Sequence, residues 1–238
     1  MLFLEDSYIK EFDSIVTEII DDKIFLASTA FYAKSGGQPG DQGVFHSGST
    51  NYQVSDTIKY EGKIAHIIQG DCNLNIGQKI AGKINWEMRY RYMRMHTTMH
   101  LLCSILPFYV TGGQIGFEKS RIDFDLGEEK YDIDFLQEQV NSLISQKHHV
   151  SYSWISTEEL ASQPELVRTL SVKPPNVSGK IRLVKIGTVD LQPCGGTHIK
   201  STEEIGNFHF IKFESKGKKN KRIYFTVNEL EKLLRLIF

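Results

Sequence analysis

The chain has 238 residues, 40% hydrophobic and 24% charged, which excludes disorder and fibrous repeats and allows a buried core without disulfide staples. With 28 Lys and Arg against 29 Asp and Glu the formal charge is −1, excluding a uniformly basic nucleic-acid coat but not a local basic surface. Cys72, Cys103 and Cys194 are too few and too scattered for a secreted disulfide framework. Acids stand where a signal peptide would be basic, and no apolar run approaches about 18 residues, so a soluble cytoplasmic protein with no membrane partner is expected.

The length suits two domains, and the charge is split: 7 Lys and Arg against 11 Asp and Glu over residues 1–86, then 21 against 18 over 87–238. The first half reads as short strands at 14–20, 24–28, 52–58, 63–68 and 78–84, a spacing that predicts a small antiparallel β-barrel ending near Trp86. Between them lies FYAKSGGQPGDQG, residues 31–43, whose four glycines and one proline make a tight, backbone-accessible loop.

The second half opens on a helix, because Met88, Tyr92, Met95, Met99, Leu102 and Leu106 recur at spacings of 4, 3, 4, 3 and 4 before Pro107. A second helix is expected from about Tyr131 to Lys147, with His148 and His149 at its end. Strand patterns follow at 150–155, 180–186, 208–213 and 222–227, and a last short helix is expected from near Asn228. Residues 87–238 therefore read as an α+β domain.

His96 and His100 are four apart on the first helix, so both imidazoles project from one face at the edge of its apolar stripe. An isolated pair of this kind is more often two hydrogen-bonded boundary histidines than a metal site. Cys194-Gly195-Gly196-Thr197-His198 adds a thiolate and an imidazole across two glycines, and the combined His3Cys donor set suits Zn2+ better than Mg2+ or Ca2+. Closed, such a set would be structural; with one position left for water or substrate it would be catalytic. Cys103, three after His100, reads as a small buried residue. Arg121 and Asp123 alternate with Ile122 and Phe124 as a structural pair on one strand face, and His46, His66 and His209 have no comparable partner spacing.

The sequence resembles the AlaX family, free-standing relatives of the alanyl-tRNA synthetase editing domain, in its medium-length form. The resemblance rests on FYAKSGGQPGDQG, on HTTMHLL at 96–102, on the tetrapeptide Arg121 to Phe124, and on CGGTH at 194–198 followed by Glu204-Ile205-Gly206, and it covers nearly the whole chain. It implies an N-terminal β-barrel domain, residues 1–86, followed by a zinc-dependent α+β editing domain of the threonyl/alanyl-tRNA synthetase type, residues 87–238. It also implies that His96, His100, Cys194 and His198 form the zinc site, and that the chain deacylates tRNA(Ala) mischarged with serine, with glycine as a second possible cargo. In synthetase-type domains an acid often stands two before the cysteine; here that place is Gln192, and the nearest carboxylate is Asp190.

An aminoacyl ester needs an activated water and a place for the developing oxyanion. Two roles for zinc fit this chemistry: acidifying water or polarising the carbonyl, and anchoring the substrate's α-amine. Gly36, Gly37, Gly195 and Gly196 would allow close backbone approach to substrate, with Gln38 and Thr197 beside them. A buried polar group, Gln38 or a threonine such as Thr29 or Thr97, is expected to read the seryl hydroxyl. Thr111 to Gln114 is a weaker pocket candidate. Two clusters offer phosphate contacts, Arg89, Arg91 and Arg94 on the helix and Lys216, Lys218, Lys219, Lys221 and Arg222 in a hairpin turn. The alternative readings are a zinc-stabilised RNA-binding module without hydrolytic activity and a zinc hydrolase of small esters or amides.

Overall fold

The computed structural model describes residues 1–127, 132–169, 176–177, 179–217 and 219–228. The chain divides into two compact units, Met1–Tyr92 and Met93–Phe238, the division falling inside the helix α1, Trp86–Ile105. Among the described residues no helix is long and apolar enough to cross a membrane.

In the first unit β1 (Glu11–Ile20), β2 (Lys23–Leu26), β3 (Gly43–Ser47), β4 (Thr50–Tyr60), β5 (Lys63–Gln69) and β6 (Lys79–Ile84) close into an antiparallel barrel in the order β1-β2-β5-β4-β3-β6. Strict alternation along β6 sends Ile80 and Ile84 inward, where they meet Val16, Ile24, Phe31, Phe45, Val54 and Ile68. Strand β3 was not expected from the sequence; it is short and directly follows the glycine-rich loop. Its first residue must be glycine, because a Cβ on Gly43 would lie 2.1 Å from the Lys83 carbonyl oxygen across the β3–β6 pairing.

The loop itself is a built structure. Gly36 and Gly37, at φ 56° and 82°, take the left-handed turn that lets Ser35 and Gln38 exchange backbone hydrogen bonds. The Tyr32 N–H donates to the Asp41 carboxylate and the Tyr32 hydroxyl donates to Ser35 O. Arg89, on the first turns of α1, reaches into this loop and donates Nε to both Asp41 oxygens at 3.0 Å, Nη1 to Ser7 O at 2.9 Å and Nη2 to Ala30 O at 2.6 Å.

The second unit contains two four-stranded sheets. One joins β9 (Val150–Ser156), β10 (Asn176–Val177), β11 (Lys180–Ile186) and β12 (Asp190–Pro193), with β11 paired to the other three. The other has the order β13-β14-β8-β7, from β7 (Val110–Gln114), β8 (Ser120–Asp125), β13 (Asn207–Ser215) and β14 (Asn220–Asn228). Helix α2 (Ile133–Ser145) is capped by Asp132, whose side chain accepts from Asp134 N and Phe135 N, and buries Leu136, Val140 and Ile144. A single turn, α3 (Thr157–Ala161), starts from a Ser156/Glu159 capping box. In α1 the residues Met93, Met95, Leu101, Leu102 and Cys103 are all buried, so beyond Tyr92 the expected single stripe gives way to a helix enclosed nearly all round.

Several boundaries differ from those read in the sequence. Tyr131 lies outside the described residues, and α2 stops at Ser145 because Lys147 takes the left-handed conformation at φ 55°. Asn228 is the last residue of β14, and the short helix expected from near it falls on residues 229–238, which lie outside the described residues. Strands β7 and β12 were unanticipated because Gly112-Gly113 and Pro193 read as loop, yet Pro193 sits at the end of an edge strand, where a missing N–H is tolerated.

Candidate metal centre

Helix α1 supplies His96 and His100 one turn apart, and the loop after β12 supplies Cys194 and His198. One ligand atom from each of the four lies within 4.8 Å of every other. Cys194 Sγ is 3.5 Å from His96 Nε2 and 3.4 Å from His198 Nε2. A tetrahedral zinc with a sulfur at ~2.3 Å and a nitrogen at ~2.05 Å would set those atoms about 3.5 Å apart. The donor set and its spacing therefore fit a zinc ion. Cys103 is buried outside this cluster, and burial pushes its thiol up to about 12, the state of an inert core residue.

The groups behind the ligands fix which nitrogen faces inward. The His100 Nδ1–H donates to Asp190 Oδ2 at 2.8 Å; the Asp190 carboxylate also accepts from Gln192 Nε2 at 3.2 and 2.9 Å. Asp190 and Gln192, two apart on β12, share one strand face. The Thr97 hydroxyl donates to Met93 O at 3.0 Å, leaving its oxygen to accept from His198 Nδ1 at 3.1 Å. Each of these bonds holds a ring with Nε2 available to a metal.

Arg182 organises the CGGTH loop from β11. It is 1% exposed, donates Nε to Cys194 O at 2.9 Å and Nη2 to Gly196 O, and lies 4.6 Å from the Tyr152 ring centroid. The Cys194 N–H returns a bond to Arg182 O, and the Gly196 N–H points at Cys194 Sγ, 3.4 Å away. Burial pushes the Cys194 thiol up, but the imidazoles of His96 and His198 and hydrogen bonds from His100 and His198 outweigh it and hold the thiol well below its ordinary range. Burial, joined by the charge of His96, holds His198 neutral, well below the usual imidazole range. At His100 burial opposes charge, yet the hydrogen bonds to Asp190 and Cys194 push the imidazole up to about 10. A thiolate and a neutral imidazole are ligand-competent states, and a metal would displace the proton that His100 Nε2 holds toward Cys194.

The remaining sequence candidates fall into different places. Gln38 is 1% exposed and so is not a solvated loop amide. The Thr29 hydroxyl donates to His66 Nε2 at 2.9 Å and accepts from the Phe31 N–H, and the Thr97 hydroxyl donates to Met93 O and accepts from His198 Nδ1, which leaves each oxygen one acceptor lone pair for a seryl hydroxyl. Gly196 and Thr197 are buried beside the ligands, with Gly195 partly exposed. Gly112 and Gly113 lie in β7, where a Cβ on Gly113 would meet Met99 Cε at 2.7 Å.

Two of the three helix arginines expected to meet phosphate are buried. Arg89 is fully buried on Asp41, and Arg94 is 4% exposed with Nε and Nη2 donated to Ile205 O, because each guanidinium satisfies backbone carbonyls that would otherwise be buried without donors. Arg91 is partly exposed and Lys219 exposed. In the hairpin Lys216 pairs with Glu214, Lys221 donates to Ser215 Oγ, and Arg222 makes two bonds to Asp123; Lys218 lies outside the described residues. Asp123 also pairs with Arg121, the structural pairing expected. Asp190 and Arg182 were not singled out as working residues. The only sequence signal for Asp190 was its nearness to the cysteine, and Arg182 had none beyond an unusual charge in an apolar strand.

Residues 181–224 match the Threonyl and Alanyl tRNA synthetase second additional domain, and residues 4–88 match tRNA synthetases class II (A). The alanyl-tRNA editing protein AlaX-M of Methanosarcina barkeri is 38% identical, over 95% of this chain and 98% of that protein. AlaX-M of Saccharolobus solfataricus is 34% identical over 95% of this chain and 98% of its own. The longer AlaX-L of Pyrococcus horikoshii is 34% identical over 98% of this chain and 60% of its own.

Proposed function

The chain belongs to the AlaX family of alanyl-tRNA editing proteins, and on that footing we propose that it is a trans-acting deacylase that hydrolyses the ester of tRNA(Ala) mischarged with serine. His96, His100, Cys194 and His198 would hold zinc, and the observation that supports this most is the convergence of their four ligand atoms within 4.8 Å. Bound there, zinc would supply Lewis-acid chemistry to an ester or to water.

The chain's own residues do the rest. Asp190 and Thr97 take the outward Nδ1 protons of His100 and His198, so the rings present a fixed edge. Arg182 draws the carbonyls of Cys194 and Gly196 away from the centre and onto its guanidinium. The Gly196 N–H is directed at Cys194 Sγ, which favours the thiolate form of that residue. Gln38 is our choice for reading the seryl hydroxyl. A site that hydrogen-bonds a hydroxyl strands its own polar groups when alanine is bound, and so rejects the correct ester. If Gln38→Ala kept the ratio of seryl to alanyl release unchanged, that assignment would be wrong.

Four protein donors are also the number of a closed structural site, which favours one second reading, a zinc-stabilised RNA-binding module. The deciding measurement is release of serine and of alanine from charged tRNA(Ala), with zinc-loaded protein beside a folded Cys194→Ala variant. Seryl release that vanishes in the variant supports the deacylase and its site. No release above the spontaneous rate overturns the deacylase, and release that survives the variant overturns the placing of its site at Cys194.

A further inference from the structure

The outer face of the β13-β14-β8-β7 sheet gathers cations around one tyrosine. Cross-strand register sets Tyr224 of β14 opposite Lys212 of β13 and Arg121 of β8, and sets Arg222 opposite Glu214 and Asp123. Lys212 Nζ lies 4.6 Å from the Tyr224 ring centroid, and Lys119 Nζ and the Arg222 guanidinium each lie 5.9 Å from it. The other face bears Phe208, Ile223, Phe225 and Val227, all buried, and on that side Gly113 abuts Met99 of α1. Lys119 and Lys212 are exposed and Arg121, Arg222 and Tyr224 partly exposed.

Three acids sit on this face, Asp123 bonded to Arg121 and Arg222, Glu214 bonded to Lys212 and Lys216, and Asp125 two residues beyond Asp123 on β8. Against the five cations Lys119, Arg121, Lys212, Lys216 and Arg222 they leave an excess of two positive charges, in a chain whose overall formal charge is −1. Neighbouring strands stand ~4.8 Å apart and alternate residues ~6.6 Å along each strand, so the cations form a flat two-dimensional array. The Asp123 fork and the Tyr224 ring restrain the long side chains, so less entropy is lost when they meet an anion. A flat array of restrained cations suits a repeating polyanion better than a single carboxylate.

We infer that this sheet face, centred on Tyr224 with Lys119, Arg121, Lys212 and Arg222, is the surface on which the phosphate backbone of the RNA rests. The inference depends on the proposed tRNA substrate and puts Lys119 and Lys212 in the place of the buried arginines of α1. Since Met99 of α1 abuts the sheet's opposite face at Gly113, the contact positions RNA and takes no part in the chemistry.

The test is the double variant Lys119→Ala/Lys212→Ala beside Lys119→Arg/Lys212→Arg. Binding of uncharged tRNA(Ala) is titrated over a range of salt, and hydrolysis is followed on seryl-tRNA(Ala) and on a seryl ester of a single adenosine. The alanine variant should lower the salt slope by about two and raise KM for the charged tRNA roughly tenfold. Its kcat and its turnover of the short ester should stay as in the wild type, and the arginine variant should behave as the wild type. An unchanged salt slope and KM overturns the inference while the deacylase stands; equal losses on the short ester overturn it too, since the damage would then be to the fold or the site. If the wild type hydrolyses nothing, the proposed function fails, and the salt titration alone still decides whether this face holds RNA.

Discussion

Asp190 accepts the Nδ1–H of His100 at 2.8 Å across 90 residues of chain, with both side chains 6% exposed. A buried carboxylate behind a metal-binding imidazole orients the ring and raises its basicity. Asp190→Asn keeps the shape and loses the charge, and is expected to weaken zinc affinity ten- to a hundredfold, on the order seen when such supports are removed. Competition with a chromophoric chelator measures this; an affinity within twofold of wild type would show Asp190 to be dispensable.

Thr97 plays the corresponding part for His198 from within the helix. Thr97→Val preserves the volume but leaves the His198 Nδ1–H without its acceptor, so zinc affinity should fall about tenfold. Thr97→Ser should retain it. A serine variant as weak as the valine one would assign the effect to packing of the methyl group instead.

Arg89 and Asp41 form a buried ion pair that fastens the glycine-rich loop to the start of α1, at 0% and 1% side-chain exposure. Removing one partner strands a charge, at about 3–5 kcal/mol. Arg89→Met should lower the urea midpoint of the first unit accordingly, and Arg89→Lys should recover little of it, because an ammonium cannot reach Asp41, Ser7 and Ala30 together. A loss below 1 kcal/mol in Arg89→Met would contradict this account.

His66 sets an acid limit for the barrel. Burial holds its imidazole down to about 4, against the opposing pull of Ile24 O, which accepts from Nδ1 at 2.8 Å, while Nε2 meets the Thr29 hydroxyl. Because the folded state resists protonation, the stability it contributes is present above the unfolded value near 6.5 and is lost as pH falls toward 4. The loss runs at about 1.4 kcal/mol per pH unit, on the order of 3 kcal/mol in all. Urea titrations from pH 7 to 4, compared with His66→Gln, should show a steeper decline in the wild type; parallel curves would place the titration elsewhere.

The sequence by itself determined the barrel strands with clear alternation, the helix that carries Met88 to Leu102, and the four members of the His3Cys donor set, for local reasons. Alternation of period two, apolar spacings of three and four, and H-x-x-x-H and C-x-x-x-H each place side chains on one face within a few residues. What only the tertiary structure decided were partnerships between distant residues. An arginine in the sequence looks the same whether it faces phosphate or a buried carbonyl, so Arg89 and Arg94 were assigned to RNA while Arg182, which holds the metal loop, went unread. Asp190 acquired its relation to His100 only when β12 was laid beside α1, and Lys119 and Lys212 met at Tyr224 only through strand register. Which charges are desolvated depends on packing, and packing joins residues whose separation along the chain carries no periodic signal.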